Sequence, residues 1–217
     1  MADGQGRPLV LVHGLWMPAA VMWPLGRRLQ RHGFVPHRFN YPSRRVTVAE
    51  HAARLDGWLA ERFTPGQPLA LVGHSLGGMV LRALAARRSA WFANARTVML
   101  GTPNQGASGA GFIAQWREGR WWLGVAGREL ATPAAAEFPV PPGPVGIIAG
   151  TRWRWWTRWF LEGPNDGLVR VAETALPGAE VRTFPVGHTG LLFNRGVAEA
   201  TAHFLAEGRF DGHGEPA

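Results

Sequence analysis

The chain has 217 residues, 46% of them hydrophobic, and a formal net charge of +8 at neutral pH. That length suits one domain with a full core, and the composition is that of a globular protein in water. With no cysteine in the sequence, disulfides, thiolate zinc sites and cysteine nucleophiles are excluded.

The N-terminal run MADGQGRPLVLVHG shows no charged-then-apolar leader, and its apolar stretch is too short to cross a bilayer, so a cytoplasmic location is expected. All 23 basic residues are arginine, beside 29 glycines and 17 prolines, which reads as a coding bias rather than a function. The arginines are scattered (Arg27, Arg62, Arg96, Arg182) or in short pairs such as Arg44–Arg45 and Arg87–Arg88. They read as a solvated surface, and no nucleic-acid partner is expected.

Short β-rich apolar runs bounded by turn residues recur along the chain. They are PLVLVHG (8–14), the weaker FVPHRFNYP (34–42), LALVGHS (69–75), TVMLGTP (97–103), VGIIAGT (145–151) and VRTFPVGH (181–188). Near-continuous runs of this kind suit parallel strands buried on both faces. Helical patterns lie between them. In TVAEHAARLDGWLAERF (47–63), Val48, Ala52, Leu55, Leu59 and Phe63 form one stripe, and Thr47 with Glu50 makes a capping-box pattern. LGGMVLRALAARR (76–88) predicts a second helix, with Arg82, Arg87 and Arg88 facing water. RGVAEATAHFLAEG (195–208) predicts a third, stopped by Gly208. No repeat or linker divides the chain. The expected class is α/β, with one domain over 1–217, a mostly parallel central sheet, helices on both faces and a small cap-like insertion at about 104–143.

Within ALVGHSLGGMVL (70–81), one serine ends an apolar strand directly before a helix, with Gly73 two residues before and Gly77 two after. This is the G-x-S-x-G pattern, a strained strand-to-helix turn that holds a serine hydroxyl at the carboxyl edge of a sheet. The two glycines are expected to avoid collision with the serine. The amide of Leu76, at the helix N-terminus, points toward developing negative charge. Ser75 is therefore the candidate nucleophile. The bland alternative is a tightly packed glycine turn.

A serine hydroxyl needs a base, and the base needs an orienting acid, in the chain order Ser, acid, His for this turn. Of four aspartates, Asp3 and Asp56 precede Ser75 and Asp211 lies in the tail. Asp166, in the loop EGPNDGLVR, is the candidate acid; Glu162 and Glu173 are its rivals, and an Asn-Asp-Gly turn is the structural alternative. Of the late histidines, His203 falls in the last helix and His213 in a polar tail, which leaves His188 as the candidate base. His13-Gly14 after the first strand makes the Leu15 amide the second oxyanion donor expected, beside that of Leu76. His13 and His74 read as structural.

With these residues in place, the chain resembles the α/β-hydrolase superfamily, and within it bacterial triacylglycerol lipases and esterases. The matching pieces are LVHGLW (11–16), VGHSLGG (72–78), LGTPNQG (100–106), NDGLV (165–169) and GHTGLL (187–192), in family order along nearly the whole chain. The resemblance implies Ser75 as nucleophile, Asp166 as acid, His188 as base and the Leu15 and Leu76 amides as oxyanion hole. Some lipases of this type are secreted and carry calcium or a disulfide. Neither calcium nor any other cofactor is carried over, because few carboxylates surround Asp166 and cysteine is absent.

Seven of the eleven tryptophans fall in two runs, Trp116, Trp121 and Trp122, then Trp153, Trp155, Trp156 and Trp159. They suit an apolar acyl site, with Trp16 and Trp156 as substrate contacts. They equally suit plain cover for the sheet edge. Tryptophan with arginine also suits a lipid surface, so a weak membrane-surface contact stays open. The expected function is hydrolysis of a small-molecule or lipid carboxylic ester through an acyl-enzyme. Thioester hydrolysis or acyl transfer by the same residues, or a non-catalytic binding module of the same fold, are the alternatives.

Overall fold

The computed structural model describes residues 6–132, 137–153 and 161–211. Among them, six strands form one sheet: β1 (Arg7–Val12), β2 (Phe34–Phe39), β3 (Ala70–His74), β4 (Arg96–Leu100), β5 (Val145–Gly150) and β6 (Glu180–Phe184). Every neighbouring pair is parallel, in the order β2-β1-β3-β4-β5-β6. Each strand falls on an apolar run named above.

The period of two along each strand divides the core. Leu9 and Leu11 of β1 pack on one face with α1 (Trp23–Gln30) and α7 (Arg195–Glu207). Val10 and Val12 pack on the other with α2 (Val48–Ala60) and α3 (Leu76–Arg87). The inner strands β1, β3, β4 and β5 are covered on both faces, which is why their runs are almost unbroken in apolar residues, whereas the edge strands β2 and β6 are partly exposed and more mixed.

The helix signals act as expected. Thr47 Oγ1 accepts from the Glu50 amide while Glu50 accepts from the Thr47 amide at 2.8 Å, closing the capping box of α2. Val48, Ala52, Leu55 and Leu59 are buried; Phe63 lies past the helix end and packs against the same core. Gly208 ends α7 in the left-handed conformation, φ 80°.

One expectation fails. Arg87 and Arg88 are exposed and pair with Asp56 at 3.1 and 3.2 Å, but Arg82 is buried. Its guanidinium donates to the Asn104 carbonyl at 2.8 Å and to the Pro139 and Phe138 carbonyls. It supplies donors to loop carbonyls that the sheet cannot reach, a need of the tertiary structure that helical periodicity does not carry.

Four helices carried no usable signal in the sequence: α1, α4 (Ser108–Ile113), α5 (Arg117–Leu130) and α6 (Val171–Thr174). The first has Pro24 in its opening turn, and α4 and α6 are six and four residues long. α5 contains three glycines, one of them the kink residue Gly124 with φ 69° and ψ −165°; glycine weakens a helical pattern. No helix among the described residues is long and apolar enough to cross a membrane.

The strand order fixes where a site can form. The chain lays β2 on one side of β1, then returns to build β3 to β6 on the other. The order in which strands are added therefore reverses between β1 and β3, and the loops leaving their carboxyl ends diverge into a crevice. Those loops are His13–Gly14–Leu15 and Ser75.

Candidate active site

Ser75 follows β3 directly and caps α3. Its φ is 53° and ψ −122°, one of two non-glycine residues with positive φ among the described residues. Such a conformation costs on the order of 1–3 kcal/mol and persists only where its surroundings hold it. Here the Ser75 amide donates to the Leu100 carbonyl of β4 at 2.8 Å, and its carbonyl accepts from the Gly78 amide at 3.0 Å.

The flanking glycines have a different reason from the one expected. A β-carbon on Gly73 would run into the Gly77–Gly78 backbone, and one on Gly77 into the carbonyls of Val12 and His13. They let α3 sit down on β1 and β3, rather than clearing the serine itself.

Asp166 lies in a closed loop. Its amide donates to the Val169 carbonyl at 3.1 Å, and its Oδ1 accepts from the Leu168 and Val169 amides at 3.0 and 2.8 Å. Asn165 tightens the same loop, accepting from the Gly167 amide at 3.0 Å. The turn chemistry and the candidate acid are one structure. Oδ2 faces His188 Nδ1 at 2.6 Å, and the His188 amide donates to the Asp166 carbonyl at 2.9 Å. Burial raises the Asp166 pKa, but the His188 ring, its hydrogen bond and the two loop amides outweigh that and leave it below the ordinary 3.8. An ionised carboxylate only accepts, so Nδ1 of His188 carries a proton, and in the neutral ring the lone pair is then on Nε2.

Two further histidines support the backbone. His74 is fully buried, and its Nε2 donates to the His188 carbonyl at 3.2 Å. Burial, with the neighbouring His188, pushes its pKa down to about 3, so it stays neutral. His13 Nδ1 donates to the Gly14 carbonyl at 2.9 Å, and Tyr41 stacks on the ring at 4.3 Å and donates its hydroxyl to the His13 carbonyl at 2.6 Å. That fixes the loop carrying Leu15. A β-carbon on Gly14 would lie 3.1 Å from Ser75 Cβ, so this loop runs directly beside the serine. Among the described residues nothing accepts from the Leu15 or Leu76 amide.

The rival acids are placed otherwise. Glu162 is exposed. Glu173 is buried and accepts from the amides of Ser108 and Arg170, both at 2.8 Å, tying the acid loop to α4. His203 lies half-buried on α7, and His213 falls outside the described residues.

Ser75 and His188 open onto one cavity of about 290 Å³. Its walls are Ala110 and Ile113 of α4, Leu123, Gly127 and Leu130 of α5, Leu168 and Val169 of the acid loop, and Leu15 and Trp16. Trp16 lines it as expected. Trp116, Trp121, Trp122 and Trp153 do not: each is about half exposed or more and lies outside this lining. α5 turns Leu123, Ala126, Gly127 and Leu130 inward, leaving its tryptophans on the outer side. Away from Ser75, His188 and Trp16 the cavity walls are mainly aliphatic. Trp155, Trp156 and Trp159 fall outside the described residues.

Gly101 was not singled out in the sequence. Its φ is 56°, and a β-carbon there would stand 3.1 Å from both Asp166 Oδ2 and His188 Nδ1. The signal was a glycine directly after a strand, a place where a close approach is common. Among the described residues no cluster of histidine and carboxylate is grouped to hold a metal ion.

An open parallel sheet whose switch-point crevice holds a serine turn and a buried Asp–His pair defines a hydrolase of the α/β class. The alpha/beta hydrolase family model matches residues 9–206, and the chain belongs to that family. A comparison with curated proteins found no match. Among solved structures, the chain is similar to the mature form of the lipase BlEst2 from Bacillus licheniformis, at 20% identity and a TM-score of 0.71, covering 88% of this chain and 89% of that one. It is also similar to a lipase-esterase related protein from Clostridium acetobutylicum (16%, TM-score 0.60, 93% and 96% covered). An esterase from Exiguobacterium antarcticum matches at 14% identity and a TM-score of 0.60, with 94% and 93% covered. At these identities the likeness speaks for the fold.

Proposed function

We propose that the protein is a serine hydrolase of carboxylic esters, with Ser75 as nucleophile, His188 as base and Asp166 as the acid that orients it. The observation that carries this is the 2.6 Å contact of a buried carboxylate with His188 Nδ1, on the same cavity as a serine held at positive φ. The carboxylate fixes the tautomer in which Nε2 can take a proton. Ser75 Oγ attacks the ester carbonyl as Nε2 accepts its proton. The tetrahedral oxyanion lies against the Leu15 and Leu76 amides, each worth about 3 kcal/mol of barrier in comparable sites. Collapse expels the alcohol, which takes the proton back from His188 and leaves an acyl-Ser75. Water repeats the cycle and releases the acid.

The aliphatic cavity receives the acyl chain, with Trp16 at its edge and the segment at about 104–143 serving as a small cap. No cofactor takes part. The substrate is a small-molecule or lipid ester, and exposed tryptophans beside arginines suit a weak contact with a membrane surface. A cytoplasmic location belongs to the same proposal, checked by fractionating producing cells. A fluorophosphonate probe should label the wild type and not Ser75→Ala, while nitrophenyl esters of graded chain length report turnover. Equal labelling of both proteins would remove the assignment. Faster turnover of the matching thioesters would move the substrate class without moving the residues.

A further inference from the structure

A second concavity adjoins the acyl cavity. It is larger and more open, about 880 Å³, and shares Trp16 and Met17 with the first. Four arginines line it: Arg44 and Arg45 from the loop after β2, Arg120 and Arg128 from α5. No aspartate or glutamate does. Elsewhere arginines pair: Arg87 and Arg88 with Asp56, Arg170 with Glu173, Arg195 with Glu199. Arg45, Arg120 and Arg128 form no ion pair among the described residues. The acids on the elements nearby are engaged otherwise: Glu129 accepts from the Val48 amide at 2.7 Å, Glu50 closes the α2 cap and Glu118 faces Arg117 at 3.7 Å.

The groove is a built feature. Arg44 Nη2 donates to the Trp121 carbonyl at 2.9 Å, its guanidinium lies 5.3 Å from the Trp121 ring centre, and its Nε is buried with no partner. The Arg44 carbonyl accepts from the Val125 amide at 2.8 Å, at the point where Gly124 breaks α5; a side chain at Gly124 would strike that carbonyl. The kink therefore locks the two walls together. Trp16 stands where the cavities meet, at φ 61°, its amide held by Ser43 Oγ at 3.1 Å and its indole donating to the Trp122 carbonyl at 2.9 Å.

An ester with its carbonyl at Ser75 and its acyl chain in the aliphatic cavity has its other half to place. The space reached across Trp16 is the arginine groove. Uncompensated guanidinium groups in a concave wall attract and orient anions, carboxylate or phosphate best of all. Resting on the serine-hydrolase reading, we propose that this groove binds an anionic leaving half, so that the preferred substrates are esters or thioesters whose alcohol or thiol portion carries phosphate, sulfonate or carboxylate.

The test compares 2-naphthyl butyrate with its 6-sulfonato derivative, each rate corrected for spontaneous hydrolysis. The wild type should favour the sulfonated ester at least tenfold in kcat/KM, with the ratio falling as sodium chloride is added. Arg120→Gln/Arg128→Gln should bring the ratio toward one, while Arg87→Gln/Arg195→Gln, equal in charge removed, should keep it. Should the first double variant melt early, Arg45→Gln on the opposite wall takes its place. A wild-type ratio of one or below, or an equal fall in both double variants, overturns the proposal.

Calorimetry on Ser75→Ala separates this from failure of the chemistry. The variant should bind 6-hydroxynaphthalene-2-sulfonate more tightly than 2-naphthol, and lose that difference when Arg120 and Arg128 are also changed. Equal binding overturns the groove even if esters are cleaved. Absence of both labelling and turnover, with the sulfonate still bound, sinks the hydrolase reading alone. If Arg120→Gln/Arg128→Gln loses binding to phosphatidylglycerol vesicles but keeps the ester ratio, the arginines serve a lipid surface and the proposal falls.

Discussion

Asp166 Oδ2 and His188 Nδ1 stand 2.6 Å apart, while a second contact, from the His188 amide to the Asp166 carbonyl at 2.9 Å, joins the same two residues through their backbones. The ring is thus aimed by the loop as well as by the carboxylate. Asp166→Asn should keep the fold and the backbone contact but favour the tautomer with its proton on Nε2. Turnover of a nitrophenyl ester should fall by roughly 10⁴. Glu162→Gln, in an exposed position, should stay near wild type. Glu173→Gln should lower the melting temperature before it lowers kcat. The reverse ranking would make one of the glutamates the acid.

Gly101 tests how tightly that pair is packed. Alanine there meets a left-handed φ of 56° and places its methyl 3.1 Å from both Asp166 Oδ2 and His188 Nδ1. The backbone strain costs on the order of 1 kcal/mol, and the pair must move apart to make room. Turnover should drop at least tenfold beyond what the loss of stability accounts for, measured well below the melting temperature. Wild-type kcat in a folded Gly101→Ala would show that the pair has slack.

At Ser75 stability and the proposed activity oppose each other. Alanine keeps the positive φ and its strain; glycine relieves it. Both variants should be inactive, and Ser75→Gly should be the more stable by about 1 kcal/mol, read from denaturant midpoints at equal slopes. If alanine is as stable as glycine here, the turn stores no strain.

What the sequence made legible follows from which signals are local. Ser75 sits in a five-residue pattern between a strand and a helix. Asp166 and His188 emerged because chain order left few residues to choose from, and the structure brings those two together. Gly101 carries no pattern of its own, because its constraint comes from two residues 65 and more positions later that fold onto it. The burial of Arg82 was invisible for the same reason: its carbonyl partners lie on distant loops. For the tryptophans the sequence leaves an acyl site, cover for the sheet edge and a lipid surface all open, because a cluster in sequence does not say which side of a helix faces the site. Trp116, Trp121, Trp122 and Trp153 lie outside the cavity lining. In α5, Leu123, Ala126, Gly127 and Leu130 face inward while Trp121 and Trp122 stand exposed. The arginine groove is likewise a junction of two segments some eighty residues apart, each unremarked alone.

The aliphatic wall predicts how chain length is measured. Ala110 lines the cavity from α4, and leucine there fills space that two or three methylenes of a long acyl chain would use. At about 0.8 kcal/mol for each buried methylene, the octanoyl ester should lose roughly thirty-fold in kcat/KM relative to the acetyl ester. Trp116→Ala, exposed and outside this lining, should leave that ratio alone. A ratio that moves with Trp116 and not with Ala110 would put the acyl chain outside this cavity.

The last prediction is a pH dependence of stability with its sign fixed by a buried histidine. His51 on α2 is fully buried, packs against Tyr41 at 4.6 Å and has neither ring nitrogen hydrogen-bonded. Burial pushes its pKa from 6.5 down to about 4; the Ser43 carbonyl opposes this without closing a hydrogen bond. Below pH 6.5 the unfolded chain takes up a proton that the folded one refuses, so stability is lost as pH falls toward about 4. The loss is at most about 1.4 kcal/mol per pH unit for one group. His74 adds the same sign down to about 3, whereas Asp166, held below 3.8, titrates only in more acid solution. His51→Leu removes one group from this balance without orphaning a partner. Its melting temperature relative to wild type should therefore climb steadily between pH 7 and pH 5, whatever constant offset the changed packing adds. Parallel melting curves over that range would mean that His51 is protonated in the folded protein as readily as in the unfolded chain.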